Sequence, residues 1–317
     1  MKVEDVKTVA VVGTGLMGHG IAQAFAMAGY PTALYDVDPA RVDRAVEGIK
    51  NNLSLFVEHE VITQPEADTA FALLAPKRSL SEAVGSVDFV MEVVYEDVDV
   101  KKQTMLEMDR LAPAHTIFAS NTSGLDVNKF AAGRPDRIAV AHFWNPPHIL
   151  PLVEVVKGEQ TSEETLELIV ALLRKIGKYP VVLRRHIPGF IGNRLQYAMF
   201  REAVGLLQSG VTTAEDIDAV VRTSLGRRYV NIGPLETADI NGLALFDQIS
   251  RYLFKELDAS QGPQPILAET VAAGNHGVKT GRGFHEWPGD KAEKALRRRD
   301  EELIRWLKID RERGFGG

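Results

Sequence analysis

The sequence predicts a doubly wound α/β domain followed by an all-α domain. Three observations carry that prediction. Short apolar runs alternate with helical patterns up to about residue 187, the order expected of a sheet covered on both faces. A glycine-rich turn separates the first run from the first helical pattern. After Pro188-Gly189 only helical patterns follow, with no convincing strand. The expected domains are therefore 1–187 and 188–317.

The elements follow in order. Thr8–Val12 is a short apolar run, as a buried strand requires. Ile21–Ala28 has a helical pattern that stops at Gly29, and Thr32–Tyr35 is a second strand ending at Asp36. Further strands are expected at Val87–Val93, Thr116–Ala119, Ile138–His142, Leu152–Val156 and Val181–Leu183. Helices are expected at Val100–Leu111 and at Thr161–Ile176, the latter opened by a Thr-Ser-Glu-Glu capping pattern. In the second domain, Asn193–Gln208, Ala214–Thr223, Ala244–Leu257 and Ile266–Ala273 read as helices. Lys291–Arg313 is a charged helical stretch with Leu296, Leu303, Ile304 and Leu307 as its apolar side. Its nine basic and six acidic residues suit a solvated, partly docked helix better than a nucleic-acid arm.

Composition narrows the function. The 317 residues, 45% hydrophobic and 25% charged, are enough for two domains with real cores. With no cysteine, the chain has no disulfide scaffold, thiolate metal site or cysteine nucleophile. A net charge of −6 is the wrong balance for a nucleic-acid binder. Thr8–Tyr35 lacks any Asp, Glu, Lys or Arg, but it contains Gly13, Gly15, Gly18, Gly20, Gly29 and Pro31 and has no basic segment before it. It reads as a buried part of a soluble, cytoplasmic protein with no membrane or nucleic-acid partner and no metal.

Gly13-x-Gly15-x-x-Gly18 follows a predicted strand and opens a predicted helix, with Asp36 at the end of the next strand. That context reads as a Rossmann-type dinucleotide site. Gly13 permits the tight turn, Gly15 lets backbone approach a pyrophosphate, and Gly18 lets helix and strand pack closely. The turn from Gly13 through Leu16 and Met17 to Gly18 then offers its helix N-terminus to phosphate. Asp36 suits the adenine ribose hydroxyls and repels a 2′-phosphate, so NAD is preferred over NADP.

The densest informative cluster runs from Ser120 to Glu154: Ser120-Asn121-Thr122-Ser123, then His142-Phe143-Trp144-Asn145-Pro146-Pro147, then Leu152-Val153-Glu154. His142 ends a buried strand, and Glu154 lies twelve residues on, in or beside a neighbouring strand. Alcohol oxidation needs a base for the hydroxyl proton, and histidine titrates in the right range. A carboxylate on its far nitrogen fixes the tautomer. Taken alone, a strand-end histidine is more often structural than catalytic.

With these motifs, and with Pro188-Gly189-Phe190-Ile191-Gly192-Asn193-Arg194 and Gly277–Phe284, the chain resembles the 3-hydroxyacyl-CoA dehydrogenase family over nearly its whole length. The resemblance implies an NAD-dependent oxidoreductase acting on CH–OH, with a Rossmann domain and a helical domain that mediates homodimerisation. It implies His142 as base, Glu154 as its orienting partner, and Ser123 and Asn193 binding substrate or positioning the histidine. Glu96 and Lys101 match positions that contact NAD near the nicotinamide ribose.

The chain departs from the acyl-CoA members at two places. Arg41–Asp68 carries three basic and six acidic residues where those members have a basic stretch that helps hold CoA phosphates. The segment Gly226-Arg227-Arg228-Tyr229 through Pro234 is longer than theirs and resembles the L-gulonate 3-dehydrogenase (lambda-crystallin) branch, while Lys279-Thr280-Gly281 is less like that branch. The expected substrate is a short, free 3-hydroxy carboxylate such as L-gulonate, oxidised to the 3-oxo acid, with Arg228, in a loop of the helical domain and with Arg227 beside it as a rival, as the carboxylate's partner. The alternatives are a 3-hydroxybutyryl-CoA dehydrogenase and, from another class, a catalytically silent crystallin-like protein.

Overall fold

The structure is a computed structural model and describes residues 1–314. The chain groups into two compact units. One comprises Met1–Ile191 with the stretch from Arg299 onward, and the other is Gly192–Arg298.

The first unit is built on one eight-stranded sheet. Its strands are β1 (Val9–Val12), β2 (Thr32–Tyr35), β3 (Leu74–Pro76), β4 (Phe89–Glu92), β5 (Ile117–Ser120), β6 (Ile138–Phe143), β7 (Leu152–Lys157) and β8 (Tyr179–Leu183). Their order is β3-β2-β1-β4-β5-β6-β7-β8, parallel throughout except that β7 runs antiparallel to β6. The order reverses direction between β1 and β4, and open α/β sheets bind ligands at the carboxyl ends of strands at such a switch point. The six helices of this part are α1 (Gly18–Met27), α2 (Pro39–Glu58), α3 (Gln64–Ala72), α4 (Leu80–Val84), α5 (Val98–Leu111) and α6 (Glu163–Lys175).

Alternation along β1 explains the continuous apolar run seen in its sequence. Val9 and Val11 join the core on one face with Ile21, Phe25 and Leu172. Ala10 and Val12 join the core on the other face with Met105, Met108 and Phe118. A strand buried on both faces has no polar side to show. Helix starts follow capping chemistry. Asp38 accepts from Ala40 N with Pro39 at the first helical position of α2, and Ser162 caps α6 through Thr165 N.

The second unit is helical, with α7 (Gly192–Gln208), α8 (Ala214–Val220), α9 (Gly226–Tyr229), α10 (Pro234–Asn241), α11 (Leu243–Leu253) and α12 (Pro265–Ala272). A wide π turn at Val221–Leu225 joins α8 to α9. The last helix, α13 (Lys291–Glu312), belongs by sequence order to the helical domain, but from Arg299 onward it groups with the first unit. The reason is local. Ile304 is buried with Phe56 and Ile149, and Leu303 and Leu307 pack beside them. The tail thus covers the end of α2. No described helix is long and apolar enough to cross a membrane.

Candidate active site

The glycine turn is tight for a physical reason at two of its three positions. Gly13 has φ +96°, and a Cβ there would lie 2.4 Å from Val93 O, across the β1/β4 switch point. A Cβ on Gly18 would lie 1.9 Å from Gly13 O. At Gly15 a Cβ would meet nothing within 4 Å, so the backbone there borders open space. Leu16 points outward and is exposed, whereas Met17 packs on the core, so their contribution to the turn is their backbone.

A cavity of about 330 Å³ opens beside this turn, lined by Gly13, Gly15, Tyr35, Asp36, Val94 and Tyr95 among others. Asp36 is buried at its edge. Its Oδ2 accepts from Thr14 N at 2.9 Å and its Oδ1 from Asp38 N at 3.1 Å. Two amides fix the carboxylate and leave it acceptor capacity for ribose hydroxyls. The cap of α2 is Asp38, so Asp36 is not needed as a helix cap. The open face at Gly15 and the fixed carboxylate fit the adenosine and phosphate parts of a dinucleotide.

Beneath the loop that follows β4 lies a buried ionic cluster. Lys101 is 1% exposed and Glu92 0% exposed. Lys101 Nζ donates to Glu92 Oε1 at 2.9 Å and lies 3.4 Å from Glu96 Oε2. Glu92 also accepts from Ser120 Oγ at 2.5 Å and from Val94 N at 2.7 Å. Glu96 accepts from Thr122 Oγ1 at 2.6 Å and Ser123 N at 2.8 Å. The cluster ties the β4 loop to the Ser120–Ser123 loop. Lys101, expected on the cofactor, is enclosed below the site as an ion-pair partner, while Glu96 stands at the surface above it.

The catalytic candidates meet where β6 and β7 pair. His142 faces Glu154 directly in the antiparallel register. His142 Nδ1 and Glu154 Oε2 are 3.0 Å apart and both side chains are buried. An ionised carboxylate only accepts, so Nδ1 carries the hydrogen and Nε2 is the nitrogen able to take a proton. Glu154 is held from two further directions, by Trp144 Nε1 to Oε2 at 3.2 Å and by Ile191 N to Oε1 at 2.8 Å. The Trp144 and Phe190 rings lie 5.8 and 5.6 Å from the His142 ring. Asn121 Oδ1 accepts from Phe143 N at 2.8 Å, which fixes the end of β6 against the Ser120–Ser123 loop.

Ser123 is the exposed member of that loop, whereas Ser120, Asn121 and Thr122 are buried and hold it in place. Asn193 occupies the first turn of α7 in the second unit, two residues beyond the Ile191 amide that contacts Glu154. Arg228, expected in a loop, is an exposed residue of the short helix α9 that continues the π turn. Motif and spacing assign no role to Trp144, Asn121 or Glu92. Trp144 stands inside the His142–Pro146 motif, so its position was visible but its bond to Glu154 was not.

Family models of the 3-hydroxyacyl-CoA dehydrogenase NAD-binding domain and of its C-terminal domain match residues 8–186 and 189–287. The chain belongs to the 3-hydroxyacyl-CoA dehydrogenase family. Among relatives, a probable 3-hydroxybutyryl-CoA dehydrogenase of Bacillus subtilis is 37% identical over 286 residues, covering 89% of this chain and 98% of that one. Lambda-crystallin of Oryctolagus cuniculus is 34% identical over 312 residues, covering 96% of each. The crystal structure of a 5-formyl-3-hydroxy-2-methylpyridine 4-carboxylic acid 5-dehydrogenase, an NAD+ dependent dismutase, superposes with a TM-score of 0.89. It is 32% identical, over 96% of this chain and 98% of that one. As a 3-hydroxyacyl-CoA dehydrogenase family member, the chain is an NAD-dependent oxidoreductase acting on CH–OH.

Proposed function

We propose that the chain oxidises the 3-hydroxyl of a short, free 3-hydroxy carboxylate, L-gulonate or a close analogue, to the 3-oxo acid. The observation that carries this is the surface of α2 and the start of α3. All nine charged residues between Arg41 and Asp68 are exposed, and six of them are acidic. Arg41 and Arg44 are further engaged by Asp38. Such a surface repels a polyanionic CoA far more strongly than a small singly charged acid. The likeness to a dehydrogenase of a free pyridine carboxylate supports the same reading.

In this reading His142 Nε2 takes the hydroxyl proton, and Glu154 holds the ring's tautomer and stabilises the imidazolium that forms. NAD, when bound, supplies the hydride acceptor. The Gly13–Gly18 turn binds its pyrophosphate and Asp36 its adenine ribose, and Glu96 lies nearer the nicotinamide end. Ser123 and Asn193 orient the substrate. Arg228 pairs with the substrate carboxylate through its planar fork of donors.

The helical unit forms a homodimer in this reading, since Leu195, Tyr197, Leu243, Tyr252 and Phe254 are large apolar side chains left exposed on it. A cysteine-free chain suits the cytoplasm but does not require it.

The test is kcat/KM for L-gulonate and other short 3-hydroxy acids beside 3-hydroxybutyryl-CoA, followed as NADH formation. The free acids are expected to be preferred. In that case Arg228→Met raises KM for the acid more than tenfold, about 1.4 kcal/mol or more, with NAD affinity unchanged. Activity confined to the thioester overturns this reading. The second reading, a 3-hydroxybutyryl-CoA dehydrogenase, then stands, favoured by the 37% identity to a probable enzyme of that kind.

A further inference from the structure

We propose that Trp144 is a positioning residue that sets the basicity of His142 through the carboxylate they share. The inference rests on the reading of His142 as the base. Its observation is the convergence of two donors on one oxygen: His142 Nδ1 at 3.0 Å and Trp144 Nε1 at 3.2 Å from Glu154 Oε2.

Glu154 is 1% exposed, so protein groups rather than bulk water solvate its carboxylate. Hydrogen bonds to a charged group are stronger than those between neutral groups. The indole N–H therefore draws electron density from the same oxygen that stabilises the imidazolium. With that donor present, Glu154 is a weaker partner for the protonated ring, and His142 gives up its proton more readily. Without it, more of the charge of Oε2 is available to Nδ1–H, and the proton on His142 is held more tightly. The indole also restrains the carboxylate, together with Ile191 N on Oε1. Trp144 thus trades proton affinity for alignment.

Among the described residues, the groups packed against His142 include one carboxylate and two uncharged rings. Glu154 on β7 is its charged neighbour in the sheet. Trp144 and Phe190 supply ring walls without charge. His186 lies behind Phe190, 6.1 Å from that ring. Trp144 stands between Phe143 and Asn145 in the segment His142-Phe143-Trp144-Asn145-Pro146, where Phe, Leu or Met would supply apolar bulk without a hydrogen-bond donor. The choice of residue there therefore changes the electrostatics of the base without changing the base.

The test compares wild type, Trp144→Phe and Trp144→Leu with NAD saturating. Phe keeps an aromatic wall and loses the N–H; Leu loses both. Two readouts are taken: the pH profile of kcat/KM and the His142 titration by NMR in the full chain with NAD bound. Both variants are expected to move the acidic limb and the His142 titration upward together, by about half to one pH unit, since 1.36 kcal/mol corresponds to one unit. Thermal unfolding of Trp144→Phe confirms the fold against wild type.

A His142 titration unchanged in Trp144→Phe overturns the proposal. So does a shift seen in Trp144→Leu alone, which assigns the effect to ring packing. His142→Gln separates the two levels. If it keeps wild-type turnover, the reading of His142 as base fails. If it loses turnover while Trp144→Phe leaves the titration in place, only the role of Trp144 fails.

Discussion

At the proposed adenine-ribose site a buried carboxylate, Asp36, is followed by an outward side chain, Val37. Asp36 is fixed by two amides, while Val37 is 85% exposed. Replacing Asp36 with Ser removes the charge that repels a 2′-phosphate, and Val37→Arg supplies one that attracts it. The double variant is expected to gain activity with NADP and lose it with NAD, measured as the ratio of kcat/KM for the two. A wild-type preference for NADP contradicts this role for Asp36. Lys101 makes a different kind of prediction. Lys101→Met leaves Glu92 buried with Ser120 Oγ and Val94 N but no cation. Breaking a buried ion pair costs about 3–5 kcal/mol. Denaturant unfolding should show a loss of that size, and a loss below about 1 kcal/mol would mean that water reaches Glu92 in the folded state.

At the scale of elements, the link between β8 and the loop after β6 depends on a buried lysine. Lys178 Nζ donates to Pro147 O at 2.7 Å and Leu150 O at 3.0 Å, holding the segment that follows the His142 motif. It forms part of the wall of a cavity of about 360 Å³, with His148, Lys175, Asp310 and Arg311. Burial first, then the charge of Arg311, pushes Lys178 down to about 7 from 10.5. His148 is itself pushed down to about 3, mainly by burial, so it is neutral across the same range. The sign follows from proton counts. Below about pH 7 both folded and unfolded states hold the Lys178 proton, and the penalty for burying that charge is complete. Between about 7 and 10.5 the unfolded lysine keeps a proton that the folded one has released, so stability rises with pH. The slope from this one group reaches about 1.4 kcal/mol per pH unit. Unfolding measured across that range should rise more steeply in wild type than in Lys178→Met; parallel curves contradict the assignment.

The elements also show which features the sequence made legible. The glycine turn was readable because an apolar run precedes Gly13, Gly15 and Gly18, a helical pattern follows them, and Asp36 ends the next strand. His142 and Glu154 were readable as a pair only through the family motifs, since their register across antiparallel strands is a tertiary fact. The strand β3 was missed because three residues ending in Pro76 carry almost no periodic signal. The Glu92–Lys101–Ser120 cluster was hidden because each residue comes from a different element and reads, by itself, as an ordinary polar position.

For the whole molecule, the tail is the clearest case of a pattern that local sequence under-determines. The apolar side read from the sequence, with Leu303, Ile304 and Leu307, is the side that docks, but its partner was not readable: burial of Ile304 against Phe56 and Ile149 assigns the end of α13 to the first unit. The sheet presents its candidate site residues at the β1/β4 switch point and at the junction of β6 and β7, and an open α/β sheet gathers ligands at the carboxyl ends of its strands. Family membership then turns that arrangement into an NAD-dependent CH–OH oxidoreductase. The central claim is that His142 is the group that takes the proton. The most direct measurement is kcat of His142→Gln on the preferred substrate, with NAD affinity determined on the same preparation. A positioned general base contributes about 10²–10⁴-fold, so kcat should fall by that factor while NAD affinity stays at its wild-type value. Wild-type kcat in the folded variant would contradict the account.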